Sequence, residues 1–394
     1  MIYMDHAATT PVRKEVVAAM APFWTDIFGN PGSLHSKGLE AHEALDSARS
    51  SVAAIIGANA MDIIFTGGGT ESCNLAIKGF ARANKTKGRH IITQLTEHHA
   101  VLDSCVALEK EGFDITYLPV DRYGLVSPER LKAAIRKDTI LVTIMYANNE
   151  IGTVQPIAEL AKIVHEKGTV FHTDACQAGG QLDVNVKRLG ADMMTLNGSK
   201  IYGPKGVGIL YAKSGIKLEP IIHGGGQENG LRSGTENVPG IIGFAKALEL
   251  AQAEYVAEGK RLAELRNRLI EGIVKRVPKS FLNGHPTQRL PNNVNVSILD
   301  IEGEALILHL NDAGICASTG SACTSRSLEP SHVIRAIGLP YEAAHGSLRF
   351  TLGRETTQAD VDRVLDALPP IVAKLRELSP VRLSVESVMG ARRK

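Results

Sequence analysis

An apolar run, Met193-Met194-Thr195-Leu196, is followed by Asn197-Gly198-Ser199-Lys200, which places an amine among small polar groups where a β-strand should end. A lysine amine held there can form a Schiff base with a carbonyl compound. Alone, such a lysine reads first as a solvated loop residue. Two other strand ends alter that reading. Asp174 closes the run Thr169–Thr173, where a carboxylate can meet a buried cationic nitrogen. Gly67-Gly68-Gly69-Thr70 follows Ile63-Ile64-Phe65-Thr66 and opens a helix, a geometry that offers backbone N–H groups to a phosphate. Glycines by themselves would be a weak signal. An amine, an acid and a phosphate cradle at the ends of parallel strands are together what pyridoxal 5′-phosphate requires.

The elements that must position these residues follow from periodicity. Leu39, Ala44, Leu45, Ala48, Val52, Ile55 and Ile56 recur at helical spacing, with Gly57 as a stop. Thr70–Phe80 reads as the helix after the glycines. Strand-like runs lie at 90–94, 114–120, 139–147, 169–174, 193–197 and 206–211, with helical stretches at 97–110, 128–136 and 157–167. This alternation predicts an α/β fold with a mainly parallel sheet covered on both faces. Functional groups then belong just past the C-terminal ends of the strands. Residues 223–235 are irregular, six of thirteen being glycine or serine, and a long helix is expected over 240–277, with Gly259 as a candidate break. A strand at 289–299, a helix at 303–313, a strand at 347–352 and a helix at 358–377 describe a small α+β domain. The tail after Pro380 is expected to fray.

Composition narrows the class. The 394 residues carry 44 Lys+Arg against 42 Asp+Glu, and 44% are hydrophobic, which argues against a disordered chain and against a nucleic-acid binder with its basic excess. No run of eighteen apolar residues suggests a membrane span, and the N-terminus lacks the pattern of a signal peptide. Five cysteines without a CxxC pair read as free thiols of a reducing compartment, so a cytoplasmic protein is expected.

With these residues in view, the chain closely resembles the cysteine desulfurases of the NifS/IscS type. The resemblance runs from Asp5-His6-Ala7-Ala8-Thr9-Thr10-Pro11 to Ser347-Leu348-Arg349-Phe350 and Gly353-Arg354. Between them stand Phe28-Gly29-Asn30-Pro31, Thr70-Glu71-Ser72, Thr96-Glu97-His98, Asn148-Asn149-Glu150-Ile151-Gly152, Asp174-Ala175-Cys176-Gln177, Lys200-Ile201-Tyr202-Gly203-Pro204, Arg232-Ser233-Gly234-Thr235 and Gly320-Ser321-Ala322-Cys323-Thr324-Ser325. It implies the fold type I of pyridoxal 5′-phosphate enzymes, with a seven-stranded sheet in a large domain over 15–255. Residues 1–14 with 256–394 would form a small domain carrying a mobile loop at about 318–331.

The same resemblance implies roles. Lys200 would carry the cofactor and move the substrate's α-proton. Asp174 would pair with the pyridine nitrogen, Gln177 with the phenolic oxygen, and His98 would stack on the ring and assist proton transfer. Thr70 and the Glu71 backbone would hold the phosphate, with Asn197 and Ser199 beside them and Thr235 arriving from the partner subunit of a homodimer. Asn197 and Ser199 stand where many members carry serine and histidine, yet both retain hydrogen-bonding capacity. Asn149 and Arg349 would receive the carboxylate of L-cysteine, a task that suits the planar guanidinium fork. Taken alone, Arg349 within a strand reads instead as a structural ion-pair partner, and His98 as half of a polar His98-His99 pair.

Among the cysteines, Cys105 and Cys316 read as buried small hydrophobes, and Cys176 as packed under the cofactor. Cys323 lies in a small, polar stretch suited to an exposed loop, and the resemblance makes it the nucleophile that forms a persulfide. The long loop matches the group I desulfurases. It implies an iron–sulfur scaffold protein or a tRNA-thiolation protein as sulfur acceptor, with Cys323 as a ligand of a transient [2Fe–2S] cluster shared with a scaffold. The competing readings are a selenocysteine lyase, another class-V aminotransferase-like enzyme, or a non-catalytic assembly protein. A Rossmann-type binder lacks its GxGxxG after the first strand.

Overall fold

Short runs of Ile, Val, Leu and Met become strands because they can be buried on both faces of a sheet. In a computed structural model, which describes residues 1–320 and 329–391, the chain opens with β1 (Ile2–Tyr3). The central sheet follows with β2 (Ile63–Thr66), β3 (His90–Gln94), β4 (Asp114–Leu118), β5 (Thr139–Thr143), β6 (Val170–Asp174), β7 (Met193–Asn197) and β8 (Gly208–Ala212). Its order is β2-β8-β7-β6-β5-β3-β4. All pairings from β7 to β4 are parallel, and β8 runs antiparallel to both β7 and β2. Helices cover the two faces. One apolar cluster gathers Val52, Ile56, Val142, Phe171, Met194 and Phe244, and another gathers Leu75, Ile77, Ile91, Val101 and Leu141.

Two buried histidines sit inside this sheet without an ionised partner. His172 on β6 lies between Thr143 of β5 (2.8 Å) and Thr195 of β7 (3.0 Å), and His90 on β3 between Thr139 (2.7 Å) and Thr116 (2.8 Å). The hydroxyls satisfy both ring nitrogens, so the polar rings are tolerated in the interior. Burial pushes His172 down to about 4, so it is neutral at physiological pH.

The C-terminal region adds β9 (Ser280–Leu282), β10 (Asn293–Ile298), β11 (Ile315–Cys316) and β12 (Ser347–Thr351). Strands β9, β10 and β12 form an antiparallel sheet, while β11 pairs in parallel with β1 and so ties the N-terminus to this region. The helix Val238–Arg276 buries Phe244 and Leu248 in the central cluster and Leu262, Leu269 and Ile273 in the C-terminal one.

Several expectations are corrected. Gly259 does not break that helix, which runs 39 residues. One glycine costs about 1 kcal/mol, and packing at both ends of the helix outweighs it. The strand expected over 139–147 stops at Thr143, so that 144–147 leave the sheet toward its C-terminal edge. The tail does not fray throughout: Val385–Ala391 is helical and Val388 packs against a cluster with Leu299 and Ile337. Cys316 is half-buried rather than fully enclosed. The helix after the glycines starts at Gly69 and passes through a π-turn at Leu75–Gly79 before ending at Asn84.

The irregular segment 223–235 is anchored by charge. Glu228, in a left-handed conformation (φ 50°), accepts from Arg49 at 2.7 and 2.6 Å and from the Phe65 N–H at 2.9 Å. The Arg49 guanidinium also lies 4.8 Å from the Phe65 ring centroid. Arg49→Met should therefore leave a buried carboxylate without its charge partner and cost about 3–5 kcal/mol in denaturant unfolding. A loss under 1 kcal/mol would show the pair to be dispensable.

Candidate active site

Four of the parallel strands, β3, β5, β6 and β7, lead to polar residues at or just past their C-terminal ends, and these converge on one cavity of about 280 Å³. The turn after β3 contributes Glu97 and His98, the segment after β5 contributes Met145, Asn149 and Glu150, β6 ends in Asp174 with Cys176 and Gln177 beyond it, and β7 leads to Asn197 and Lys200. Ala7 and Ala8 enter from the N-terminus, Gly69 and Thr70 from the helix start, and Gly320, His332 and Arg349 from the C-terminal region. Thus Thr70, His98, Asn149, Asp174, Gln177, Asn197, Lys200 and Arg349, separated by up to 279 positions between Thr70 and Arg349, line a single cavity.

Lys200 closes a 3₁₀ turn, Gly198–Lys200, whose first residue must be small: a Cβ at Gly198 would lie 2.7 Å from the Pro204 carbonyl oxygen. Its Nζ donates to the carbonyls of Ala7, at 2.9 Å, and Ala8. Gln177 donates from Nε2 to the same Ala7 oxygen at 3.0 Å. Asp174 is 6% exposed and accepts from the Cys176 N–H at 2.9 Å. Asn197 Oδ1 accepts from the Ser199 N–H at 3.4 Å.

His98 caps the helix His99–Lys110: its Nδ1 accepts the Ala100 N–H at 3.1 Å. Burial lowers its basicity, so the ring is neutral. Arg349, 2% exposed, donates to the Asn149 carbonyl at 2.8 Å and pairs with Asp5 at 2.7 Å. It is therefore a structural ion-pair partner and a cavity residue at once. Its Nε is buried without a partner among the described residues.

Other expected residues lie outside the cavity lining. The Glu71 carboxylate accepts from Gly67 N–H and from Arg232 Nε, each at 2.9 Å. Ser199 offers its carbonyl to the Thr10 N–H and hydroxyl. Thr235 is exposed on the irregular segment. Cys323, expected as the nucleophile, lies outside the described residues. Of the other thiols, Cys176 lines the cavity, but burial and then Asp174 push both it and Cys73 far up, leaving them protonated.

Sequence reasoning assigned no role to Glu97, Glu150 or His332, which also line the cavity. Glu97 is fully buried, its acidity suppressed by burial; Oε1 accepts from Gln94 at 3.0 Å and from the Met145 N–H. Glu150 accepts the Ser331 hydroxyl, and Ser331 caps the helix that begins at His332. Glu97 and Glu150 stand inside the motifs already noted, but their local sequence carries no sign of burial.

The residues fit pyridoxal 5′-phosphate. The helix opening at Gly69 has backbone in place of side chain where the phosphate would sit: Gly68 has φ 143°, and a Cβ at Gly69 would lie 2.6 Å from Cys176 Sγ. A buried acid, an amine and a histidine share the same space. These residues on a mixed seven-stranded sheet define a fold-type-I transferase site, and the family model described as Aminotransferase class-V matches residues 2–364, a family for which this cofactor is expected.

The Cysteine desulfurase IscS of Methanosarcina thermophila is 58% identical over 96% of this chain and 94% of its own length. That of Dictyoglomus turgidum is 56% identical over 97% of each chain. Among solved structures, a NifS-like protein superposes with a TM-score of 0.89 at 38% identity, covering 95% of this chain and 100% of that one. The structure titled SspA in complex with cysteine gives 0.79 at 38% identity, covering 89% and 99%. The chain belongs to the class-V aminotransferase family, among its IscS-type cysteine desulfurases. No described helix is long and apolar enough to cross a membrane.

Proposed function

We propose that the protein removes sulfur from L-cysteine, releasing L-alanine and holding the sulfur as a persulfide on Cys323. The observation that carries this reading is the convergence of Lys200, Asp174, His98 and Arg349 on one cavity at the ends of parallel strands. It is supported by the near full-length identity to curated cysteine desulfurases. Pyridoxal 5′-phosphate, when bound, supplies an electron sink for the bond broken at the substrate's α-carbon.

The chain's own residues do the rest. Lys200 holds the cofactor and moves the α-proton with its amine, which the Ala7 and Ala8 carbonyls orient. Asp174 would keep a positive charge on the pyridine nitrogen, and its burial would strengthen that pairing. Gln177 and Asn197 offer amide groups to polar atoms of the cofactor, and Thr70, the Glu71 backbone and Ser199 surround the phosphate. His98 presents Nε2–H toward the cavity, because its Nδ1 lone pair is taken by Ala100. Arg349 and Asn149 orient the substrate carboxylate, the guanidinium being held from behind by Asp5. Thr235 completes the phosphate site of a partner subunit, which makes the working form a homodimer.

The sulfur passes onward from Cys323 to an iron–sulfur scaffold protein, with Cys323 also serving as a ligand of a transient [2Fe–2S] cluster shared with it. The group I loop length supports this part of the reading, and five cysteines without a CxxC pair support a cytoplasmic location. Incubating the pyridoxal-phosphate-loaded protein with L-cysteine should release L-alanine and form protein persulfide in equal amounts. Turnover of L-selenocysteine with none of L-cysteine would overturn the reading in favour of a selenocysteine lyase.

A further inference from the structure

Glu97 carries a carboxyl group to which the proposed reaction gives no task. It is fully buried: Oε1 takes two N–H groups, and Oε2 is shut from solvent with no hydrogen-bond partner among the described residues. The polarity of its partners is set by backbone. The Val126 N–H donates to Gln155 Oε1 at 3.1 Å, and Gln155 Nε2 donates to the Gly124 carbonyl at 2.6 Å and to Gln94 Oε1 at 3.1 Å. Gln94 must therefore turn its amide nitrogen to Glu97, and Glu97 Oε1 is an acceptor twice over. A proton on the group sits on Oε2. An ionised carboxyl would leave a bare charged oxygen in the interior, facing the Asp174 charge from β6 and the Cys73 and Cys105 thiols from the neighbouring helices. Glu97 is held neutral there.

The Met145 N–H that Glu97 binds belongs to the stretch 144–147, which leaves the sheet after β5 and leads to Asn149. His98 follows Glu97 directly, and its place is fixed separately by the Ala100 N–H. A second tie runs alongside: Asn148 Nδ2 donates to the Thr96 carbonyl at 2.8 Å, and Asn148 Oδ1 accepts the Glu150 and Ile151 N–H groups, each at 2.9 Å. We propose that Glu97 is a positioning residue, fastening the segment that bears Asn149 to the turn that bears His98 and so setting where the substrate carboxylate lies relative to the cofactor ring. This rests on the roles given to Asn149 and His98 in the preceding reading. The group acts through an accepting oxygen and without charge, so a neutral amide of the same length can replace it and a shorter acid cannot.

Glu97→Asp keeps the acid but withdraws it by one methylene from Met145. In the loaded enzyme kcat/KM for L-cysteine should fall by about 10²-fold, chiefly through KM. Cysteamine, which has the amine and the thiol but no carboxylate, should perturb the cofactor's absorbance at the same concentrations as in wild type. Glu97→Gln should restore KM to within about threefold of wild type. The infrared difference between wild type and Glu97→Gln at neutral pH should contain the carbonyl stretch of a protonated carboxylic acid, a signal independent of how well Glu97→Asp folds. A Glu97→Gln variant as impaired as Glu97→Asp, an unchanged KM in Glu97→Asp, an equal loss for cysteamine, or a carboxylate band in place of the acid band would overturn the proposal. A wild-type enzyme that makes no alanine from L-cysteine would instead overturn the desulfurase reading, with the infrared band still deciding the charge of Glu97.

Discussion

Lys200→Ala is expected to end alanine release from L-cysteine, lowering the rate by about 10³-fold or more, and to remove the near-visible absorbance of the lysine-linked cofactor. The magnitude follows from the lysine having two tasks in one place: it holds the cofactor covalently and carries the α-proton. No neighbouring group can take over both. The amines nearest in sequence, Lys187, Lys205 and Lys213, line no part of the cavity, and His98 is locked in the tautomer that donates from Nε2. The fold should survive, because the amine's hydrogen bonds go to two backbone carbonyls, those of Ala7 and Ala8, rather than to a buried charge. Borohydride reduction followed by mass mapping checks the first task, and an alanine assay the second. A variant that still releases alanine within tenfold of wild type would remove Lys200 from the mechanism.

Cys323→Ala is expected to leave the cofactor's absorbance and its response to L-cysteine intact while persulfide formation falls by at least about 10²-fold. The two effects separate because every residue assigned to the cofactor lies elsewhere in the chain, from Thr70 to Thr235. The alternative acceptor is Cys176, already inside the cavity. Its thiol is buried beside Asp174, and both burial and the carboxylate favour the protonated, unreactive form. Mapping the persulfide in wild type by alkylation and peptide mass decides between them. Persulfide on Cys176, or normal persulfide yield in Cys323→Ala, would displace Cys323 from its role.

Much of the fold is legible in the sequence. Strands at 90–94 and 193–197 and the strand end at Asp174 agree with the observed elements, because two-sided burial imposes apolar runs whose limits turn residues mark. Strand β9 and the pairing of β1 with β11 are not legible there. Two or three residues carry too little periodicity to signal a strand, and Ile2–Tyr3 becomes one only because Ile315–Cys316 lies beside it. Gly259 and the C-terminal helix show the reverse case, where tertiary packing overrides a local breaker or a weak local preference.

What the sequence by itself determined is the set of chemically capable residues and their placement at strand ends: Lys200 after β7, Asp174 at the end of β6, and glycine at 67–69 where a helix begins. These depend on neighbours within a few positions, and residue type, turn chemistry and burial period record them directly. Only the tertiary structure decided which distant groups meet. Asp5 holds Arg349 across 344 positions, and the Glu97 carbonyl meets His332 Nε2 across 235. Such contacts depend on the angle and distance at which whole segments pack, to within a few tenths of an ångström. A hydrogen bond gains strength only inside that tolerance, and local composition does not encode it.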